Sequence, residues 1–293
     1  MTEKSKRFNW CEFLTTSAQV AVLLAVSVLA SDHLARPACA ETIKEVLTTT
    51  PMAASKTTHA IPTATKLADM LQSQAWAKRF FSRATDLPIS FVLDDKTIHG
   101  IPQKWRPVVN KRRIDNNRSE TVFEGTDPKT GLHVRVECTE YHDHPVMEWV
   151  AWFSNQGQET TPIIRDILAL DGTFQGSAPS LDSNNGDFYS EKGYTPNEKP
   201  LDKGDSVGFA PNGGRPNDGA LPYYRIMFDK WGLSLAIGWP AQWAIRFDGL
   251  ADGVHVRAGQ EKTNLRLKPG ERIRTPRMTV LAWSGDASRA VNL

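Results

Sequence analysis

The chain has 293 residues, and its charges nearly cancel, with 35 lysines and arginines against 33 aspartates and glutamates. Nucleic acid or an anionic membrane surface would favour a clear basic excess, so neither is expected as a partner. Of the three cysteines, Cys11 and Cys39 lie near the amino terminus, which leaves only Cys138 in the body of the chain. A disulfide framework is therefore excluded.

Residues 1–40 have the pattern of a secretory signal peptide. Lys4, Lys6 and Arg7 give a basic start, an uncharged apolar run covers residues 18–30, and Ala38-Cys39-Ala40 is a small-x-small cleavage pattern. The apolar run is shorter than the ~20 residues of a spanning helix. We expect an exported protein, periplasmic or extracellular, that leaves the membrane when the signal is cleaved. An uncleaved N-terminal anchor is the alternative.

The next two segments differ in character. Residues 41–62 are rich in Thr, Ala, Ser and Pro without a sustained apolar period, which predicts a disordered linker. Residues 63–87 are predicted to form one flanking helix, because Leu67, Met70, Leu71 and Phe81 fall at helical spacing.

From residue 88 to residue 293 the sequence reads as β-structure. Short apolar runs alternate with turn signals such as Asp252-Gly253 and Lys268-Pro-Gly270, without long helical periods between them. This pattern predicts an all-β domain, a large antiparallel β-sandwich. The predicted strands cover residues 89–93, 120–125, 132–141, 147–154, 163–170, 225–228, 233–237, 243–247, 254–258, 263–267 and 273–283. In the third of these, the alternation places Cys138 on the apolar face as a core residue.

Two polar clusters contain residue types that binding or catalytic sites use. His142, Asp143 and His144 lie in a turn, and His-x-His without a third ligand at a defined spacing does not specify a metal. Glu137, Glu140 and Glu148 flank that turn and could join a histidine in acid–base chemistry on a sugar. Lys111-Arg112-Arg113 reads as a solvated face or a domain contact. We expect no metal and no cofactor.

The stretch from Phe209 to Gln242 combines a glycine-rich loop with aromatic, amide and charged residues. Sugar sites need this mixture, because flat rings cover C–H faces while polar groups bind hydroxyls. The simpler reading is a loop whose glycines serve geometry alone, and strand-end packing is the simpler role for each tryptophan. The candidate carbohydrate contacts are Arg215, Asp218, Trp239, Gln242 and Trp243.

Several motifs over residues 76–293 resemble, in order and spacing, the N-terminal β-domain of the α-galactosidases of glycoside hydrolase family 36 and their bacterial relatives. The most specific is Phe209-Ala-Pro-Asn-Gly-Gly-Arg-Pro216 with Asp218-Gly-Ala-Leu-Pro-Tyr-Tyr224. Others are Trp76-Ala-x-x-Phe80, Thr126-Asp-Pro-Lys-Thr-Gly-Leu-x-Val134, Ala236-x-Gly-Trp-Pro240 and Leu267-x-Pro-Gly-Glu271. The resemblance implies a sandwich of the galactose-mutarotase type, also called a supersandwich.

The resemblance also implies where catalysis resides. In that family the sandwich precedes a (β/α)8 barrel that carries both catalytic aspartates, and this sequence ends where the barrel would begin. A barrel needs at least about 200 residues, so we expect no catalytic residue here. Asp166, Asp171 and Asp218 fall in sandwich motifs and receive no catalytic role.

Three functions stay open. The first is a secreted carbohydrate-associated module, not hydrolytic alone, whose partners are a carbohydrate such as an α-galactoside and a catalytic barrel domain or subunit. The second is a sugar enzyme of the mutarotase or epimerase type that uses histidine and glutamate inside the sandwich. The third is a truncated remnant of an α-galactosidase gene.

Overall fold

The first element is helix α1, Thr63–Phe81. The computed structural model describes residues 63–186, 191–285 and 289, so the predicted signal peptide and linker lie outside the described residues. Short 3-10 turns form at Ala84–Asp86 and Gln103–Trp105. No described helix has both the length and the apolar character that crossing a membrane requires.

Strands make up most of the remaining described chain. They are β1 Ser90–Leu93, β2 Lys96–His99, β3 Val108–Arg113, β4 Arg118–Thr126, β5 Leu132–Tyr141, β6 Val146–Asn155, β7 Ile164–Gln175, β8 Ser180–Asn184, β9 Pro196–Pro200, β10 Ser206–Phe209, β11 Tyr223–Met227, β12 Trp231–Gly238, β13 Trp243–Leu250, β14 Gly253–Gln260, β15 Asn264–Leu265, β16 Arg272–Arg274 and β17 Arg277–Ser284.

The strands form two antiparallel sheets. The smaller sheet has the order β10-β13-β14-β7-β1-β2, with β15 paired to β7. The larger sheet has the order β3-β4-β5-β6-β17-β12-β11-β8-β9, with β16 paired to β6. The predicted large antiparallel β-sandwich with one flanking helix is confirmed.

Alternation along the strands builds the core between the sheets. In β5, Leu132, Val134, Val136 and Cys138 are buried while the residues between them are partly exposed. Cys138 is thus the core residue that the sequence predicts, and burial raises the pKa of its thiol well above the usual value. Each strand therefore presents a second, outward face that is available for other contacts.

Helix α1 is fixed to the sandwich by an aromatic residue and by a buried ion pair. The ring of Trp76 lies 6.4 Å from that of Trp149 in the larger sheet and 6.1 Å from that of Phe174 in the smaller sheet. The carboxylate of Asp69 has no exposed surface and lies 2.6 Å from Arg289. The helix therefore packs against both sheets at one end of the core.

The structure corrects one sequence-based expectation, the extent of the last strand, and agrees with another, the solvated face expected at residues 111–113. The predicted strand 273–283 is two strands, β16 and β17, because Pro276 has no N–H for a ladder and Thr275 Oγ1 instead accepts a hydrogen bond from the backbone of Ala151. The basic Lys111-Arg112-Arg113 run belongs to β3, an edge strand of the larger sheet with all six residues exposed. Charged side chains on an edge strand protect it from pairing with other chains.

Candidate functional site

The glycine-rich loop is a set of tight turns rather than an open connection. Gly213, Gly214 and Gly219 have φ values of +61°, +75° and +82°, as the sequence predicts. Within the loop, the backbone N–H of Asn212 donates a hydrogen bond to the backbone carbonyl of Asp218 at 2.8 Å. The positive φ of Gly219 favours glycine at this turn, and a Cβ there would also displace the side-chain nitrogen of Asn212, which would lie 2.4 Å away.

Two of the five candidate contacts fasten this loop to the sandwich. The side-chain oxygen of Gln242 accepts a hydrogen bond from the Gly214 amide at 2.9 Å, and its nitrogen donates to the carbonyl of Pro211. The indole of Trp243 has no exposed surface and donates from Nε1 to the carbonyl of Pro216 at 2.9 Å. An indole without exposed surface cannot stack on a sugar, so the expected role of Trp243 is corrected to loop support.

The other three candidates stay at the surface in different surroundings. Arg215 and Asp218 lie 3.8 Å apart and pair with each other across the loop turn. Trp239 is partly buried, and the guanidinium of Arg274 lies 5.1 Å from the centre of its ring. Of the five predicted contacts, Trp239 is the ring that keeps exposed surface.

A cleft of about 430 Å³ opens on the outer face of the larger sheet, next to the end of this loop. It is lined by residues of the neighbouring strands β8, β11, β12 and β17. Tyr223 is 61% exposed, and Arg225 pairs with Asp182 at 2.6 Å. The polar and aromatic residues of its lining include Asp182, Asn184, Tyr223, Arg225, Ser234 and Thr279.

The cleft also contains a hydroxyl without a partner. Ser234 Oγ is covered from solvent and makes no hydrogen bond within the described chain. An unsatisfied buried hydroxyl costs free energy, but because Ser234 Oγ is covered, a ligand in the cleft does not reach it as the side chain stands. The cleft thus combines an exposed tyrosine with a charged pair.

Sequence reasoning missed most of this cleft. Tyr223 belongs to the glycine-rich motif but is not among the candidate sugar contacts of the sequence. Strand β8, which contains Asp182, is not among the predicted strands. The available signal was strand alternation: Tyr224 and Ile226 are buried in β11, so Tyr223 and Arg225 must face outward. Asp182 lies opposite Arg225 because β8 and β11 are neighbouring strands, and only the observed strand pairing shows this.

The histidine turn does not assemble with the flanking glutamates. His142 Nε2 shares a hydrogen bond with Ser119 Oγ at 3.0 Å, and His144 lies 3.2 Å from Asp143. A hydrogen bond from His144 lowers the pKa of the Asp143 carboxyl. A shallow depression of about 500 Å³ beside this turn is lined by exposed turn residues. Among the residues that the structure describes, no three His, Cys, Asp or Glu side chains are grouped to hold a metal ion.

The smaller sheet carries a polar cluster that the sequence did not single out. His255 Nε2 lies 2.8 Å from Asp171 Oδ1, and its Nδ1 shares a hydrogen bond with Thr173 Oγ1 at 2.9 Å. Burial raises the pKa of the Asp171 carboxyl, but hydrogen bonds from His255 and Ser90 outweigh it, and the net pKa is lowered. This cluster links β7 to β14 and stabilises the smaller sheet.

Comparison with solved structures shows what this sandwich is similar to. The α-galactosidase AgaB of glycoside hydrolase family 36 from Geobacillus stearothermophilus aligns with a TM-score of 0.52 at 14% identity, over 68% of this chain and 30% of that one. The α-galactosidase from Lactobacillus brevis gives 0.51 at 12% identity, over 68% and 29%. The galactosidase domain of the α-galactosidase-sucrose kinase AgaSK gives 0.52 at 11% identity, over 68% and 30%.

Sequence comparisons add no relative. No protein-family model matches the chain, and no curated protein matches it. The chain spans about 30% of the length of the α-galactosidases that it resembles. The described residues have the fold of the N-terminal β-sandwich part of the glycoside hydrolase family 36 α-galactosidases.

Proposed function

We propose that this chain is an exported carbohydrate-associated β-sandwich module that binds sugar in the cleft at Tyr223 and does not hydrolyse glycosides alone. The fold likeness to the sandwich part of α-galactosidases carries the proposal. A catalytic barrel, as a further domain or as a separate subunit, is the proposed partner. Export rests on the sequence pattern of residues 1–40.

The lining of the cleft supports sugar as the ligand. An exposed tyrosine can cover the C–H face of a pyranose with its ring, and removing both apolar surfaces from water is favourable. Arg225, Asp182 and Asn184 supply donors and acceptors for hydroxyl groups. The volume of about 430 Å³ falls within the range of small-molecule sites.

The absence of hydrolysis is expected from the chemistry of retaining glycosidases. Such enzymes need two carboxyl groups about 5–5.5 Å apart, one of them free to act as nucleophile. In the cleft the one carboxylate, Asp182, is neutralised by Arg225 at 2.6 Å. We therefore expect binding without turnover.

Calorimetric titration of the purified protein with melibiose, an α-galactoside, tests this proposal. We expect weak binding, with a Kd of roughly 1 mM, because an open cleft buries little of a sugar. Tyr223→Ala should weaken binding about tenfold, whereas Tyr141→Ala, a tyrosine at the other end of the same sheet, should not. Equal affinities for the wild type and Tyr223→Ala would refute the cleft as the site.

An epimerase-type activity is the second candidate, and one contact favours it. His133 Nε2 lies 3.8 Å from Glu124 Oε2, on the outer face of the larger sheet and not inside the sandwich as the sequence-based alternative has it. Burial lowers the pKa of His133, which favours a neutral imidazole that can accept a proton. Interconversion of galactose anomers, followed by polarimetry and lost in His133→Ala, would support this candidate over the binding module.

A further inference from the structure

A second cluster on the outer face of the larger sheet combines two tryptophans with two arginines. Arg274 lies opposite Trp152 in the β16–β6 ladder, and Arg272 lies opposite Ser154. Paired residues of antiparallel strands point to the same face, so both arginines share the face of Trp152. The guanidinium of Arg272 lies 4.7 Å from the ring centre of Trp152, and that of Arg274 lies 5.1 Å from that of Trp239.

These two arginines differ from the other arginines around them. Arg135 is paired with Glu124 and Glu137, and Arg277 is paired with Glu148. Arg272 and Arg274 make no ion pair with any carboxylate in the described part of the chain. The carboxylate of Glu271, next in sequence, instead accepts a hydrogen bond from the backbone of Lys268 at 2.8 Å. Neither guanidinium thus has a carboxylate partner among the described residues, although Arg274 Nη1 donates to the carbonyl of Thr275 at 3.3 Å.

The packing of these arginines suits an anionic ligand. A guanidinium that lies over an indole is held in place by cation–π attraction. Its planar fork still offers N–H donors in the geometry of a carboxylate, and less side-chain entropy is lost when a ligand binds. Trp152 is itself held, since its Nε1 donates to Glu137 Oε2 at 3.1 Å.

The cluster lies on the same face as the proposed sugar cleft. Thr279 lines that cleft and pairs with Glu148 in β6, and Trp152 lies four residues further along β6. At about 3.3 Å per residue, Trp152 lies roughly 13 Å along the strand from the edge of the cleft at Thr279. A short oligosaccharide that occupies the cleft can therefore extend toward the arginines.

We propose that Arg272 and Arg274, stacked on Trp152 and Trp239, form a binding site for the carboxylate of an acidic sugar, a hexuronate. The inference rests on the proposed carbohydrate association but uses residues outside the cleft. The ligand class is an oligosaccharide with carboxylate groups, bound by the two guanidinium forks and by the exposed parts of the rings.

Titration with tetragalacturonate tests the site. We expect saturable binding that weakens with added salt, and a loss of affinity of at least about tenfold in the Arg272→Gln/Arg274→Gln double variant. Arg246→Gln is the matched control, because this exposed arginine lies in β13 of the other sheet. The methyl-esterified tetramer, which has no charge, should bind much more weakly than the acid.

Three results would overturn the inference: equal affinity of the double variant and the wild type, equal binding of the methyl ester, or tighter binding of a sulfated galactan oligosaccharide of the same length. Thermal unfolding of each variant confirms that it is folded.

The Tyr223→Ala variant separates this inference from the proposed function. If that variant loses melibiose but keeps tetragalacturonate, the arginine site acts independently. If melibiose never binds and the double variant still loses tetragalacturonate, the cleft fails while the arginine site stands.

Discussion

Replacing Gly214 with valine should destabilise the sandwich through the backbone of the glycine-rich loop alone. Gly214 has φ +75°, and a Cβ at this position would meet no atom within 4 Å. Steric overlap with neighbouring atoms therefore adds nothing to the loss of stability. The free-energy cost is that of placing a β-branched residue in the left-handed region of backbone conformation. That cost is about 1–2 kcal/mol for an ordinary residue and larger for valine.

Gly208→Val provides the matched control. Gly208 lies in β10 without a positive φ, and its Cβ would make an ordinary contact of 3.7 Å with the carbonyl of Ile245. Valine suits a strand, so this variant should be close to neutral.

Thermal unfolding followed by circular dichroism measures both variants. For a domain of this size, 1–2 kcal/mol lowers the Tm by about 2–8 °C. Equal Tm values for Gly214→Val and Gly208→Val would contradict the argument, because they would show that the loop does not need its left-handed backbone.

Two further predictions concern stability. Asp69→Ala should lower the free energy of unfolding by about 3 kcal/mol, because it leaves Arg289 and the backbone amide of Ser284 without their buried partner. Asp86→Ala, which removes an exposed ion pair, should lower it by less than about 1 kcal/mol. Urea unfolding measures both variants, and equal losses would contradict this expectation. The pKa of Asp171 is lowered in the folded state, so the stability that its carboxylate contributes is complete above the unfolded pKa and is lost as the pH falls through the folded pKa. Asp171→Asn should therefore be less stable than the wild type at pH 7, and the difference in free energy of unfolding should shrink toward pH 2. A constant difference across that pH range would refute this role of Asp171.

The sequence predicts the fold better than the site, for a physical reason. Alternating apolar residues report directly which side of a strand is buried, so the sandwich and the core position of Cys138 could be derived from the residues alone. The same pattern cannot show which strands are neighbours. The opposition of Asp182 to Arg225, and of Arg274 to Trp152, depends on pairing between segments far apart in the chain.

Trp243 shows the other limit of sequence reasoning. A tryptophan beside a glycine-rich loop can either stack on a ligand or support the loop, and the residue types fit both roles. Here the Pro216 carbonyl accepts a hydrogen bond from the indole, and the ring has no exposed surface. Only the three-dimensional structure separates the two roles.

Calorimetric titration of the purified protein with 4-nitrophenyl α-galactoside distinguishes sugar binding from hydrolysis, because one trace reports both binding and turnover. We expect saturable heats that return to the baseline after each injection, no release of nitrophenol, and binding that is about tenfold weaker in Tyr223→Ala. A continuous heat signal with nitrophenol release that persists through purification would show that the sandwich itself is a hydrolase, and an absence of any binding heat would remove the cleft as a sugar site.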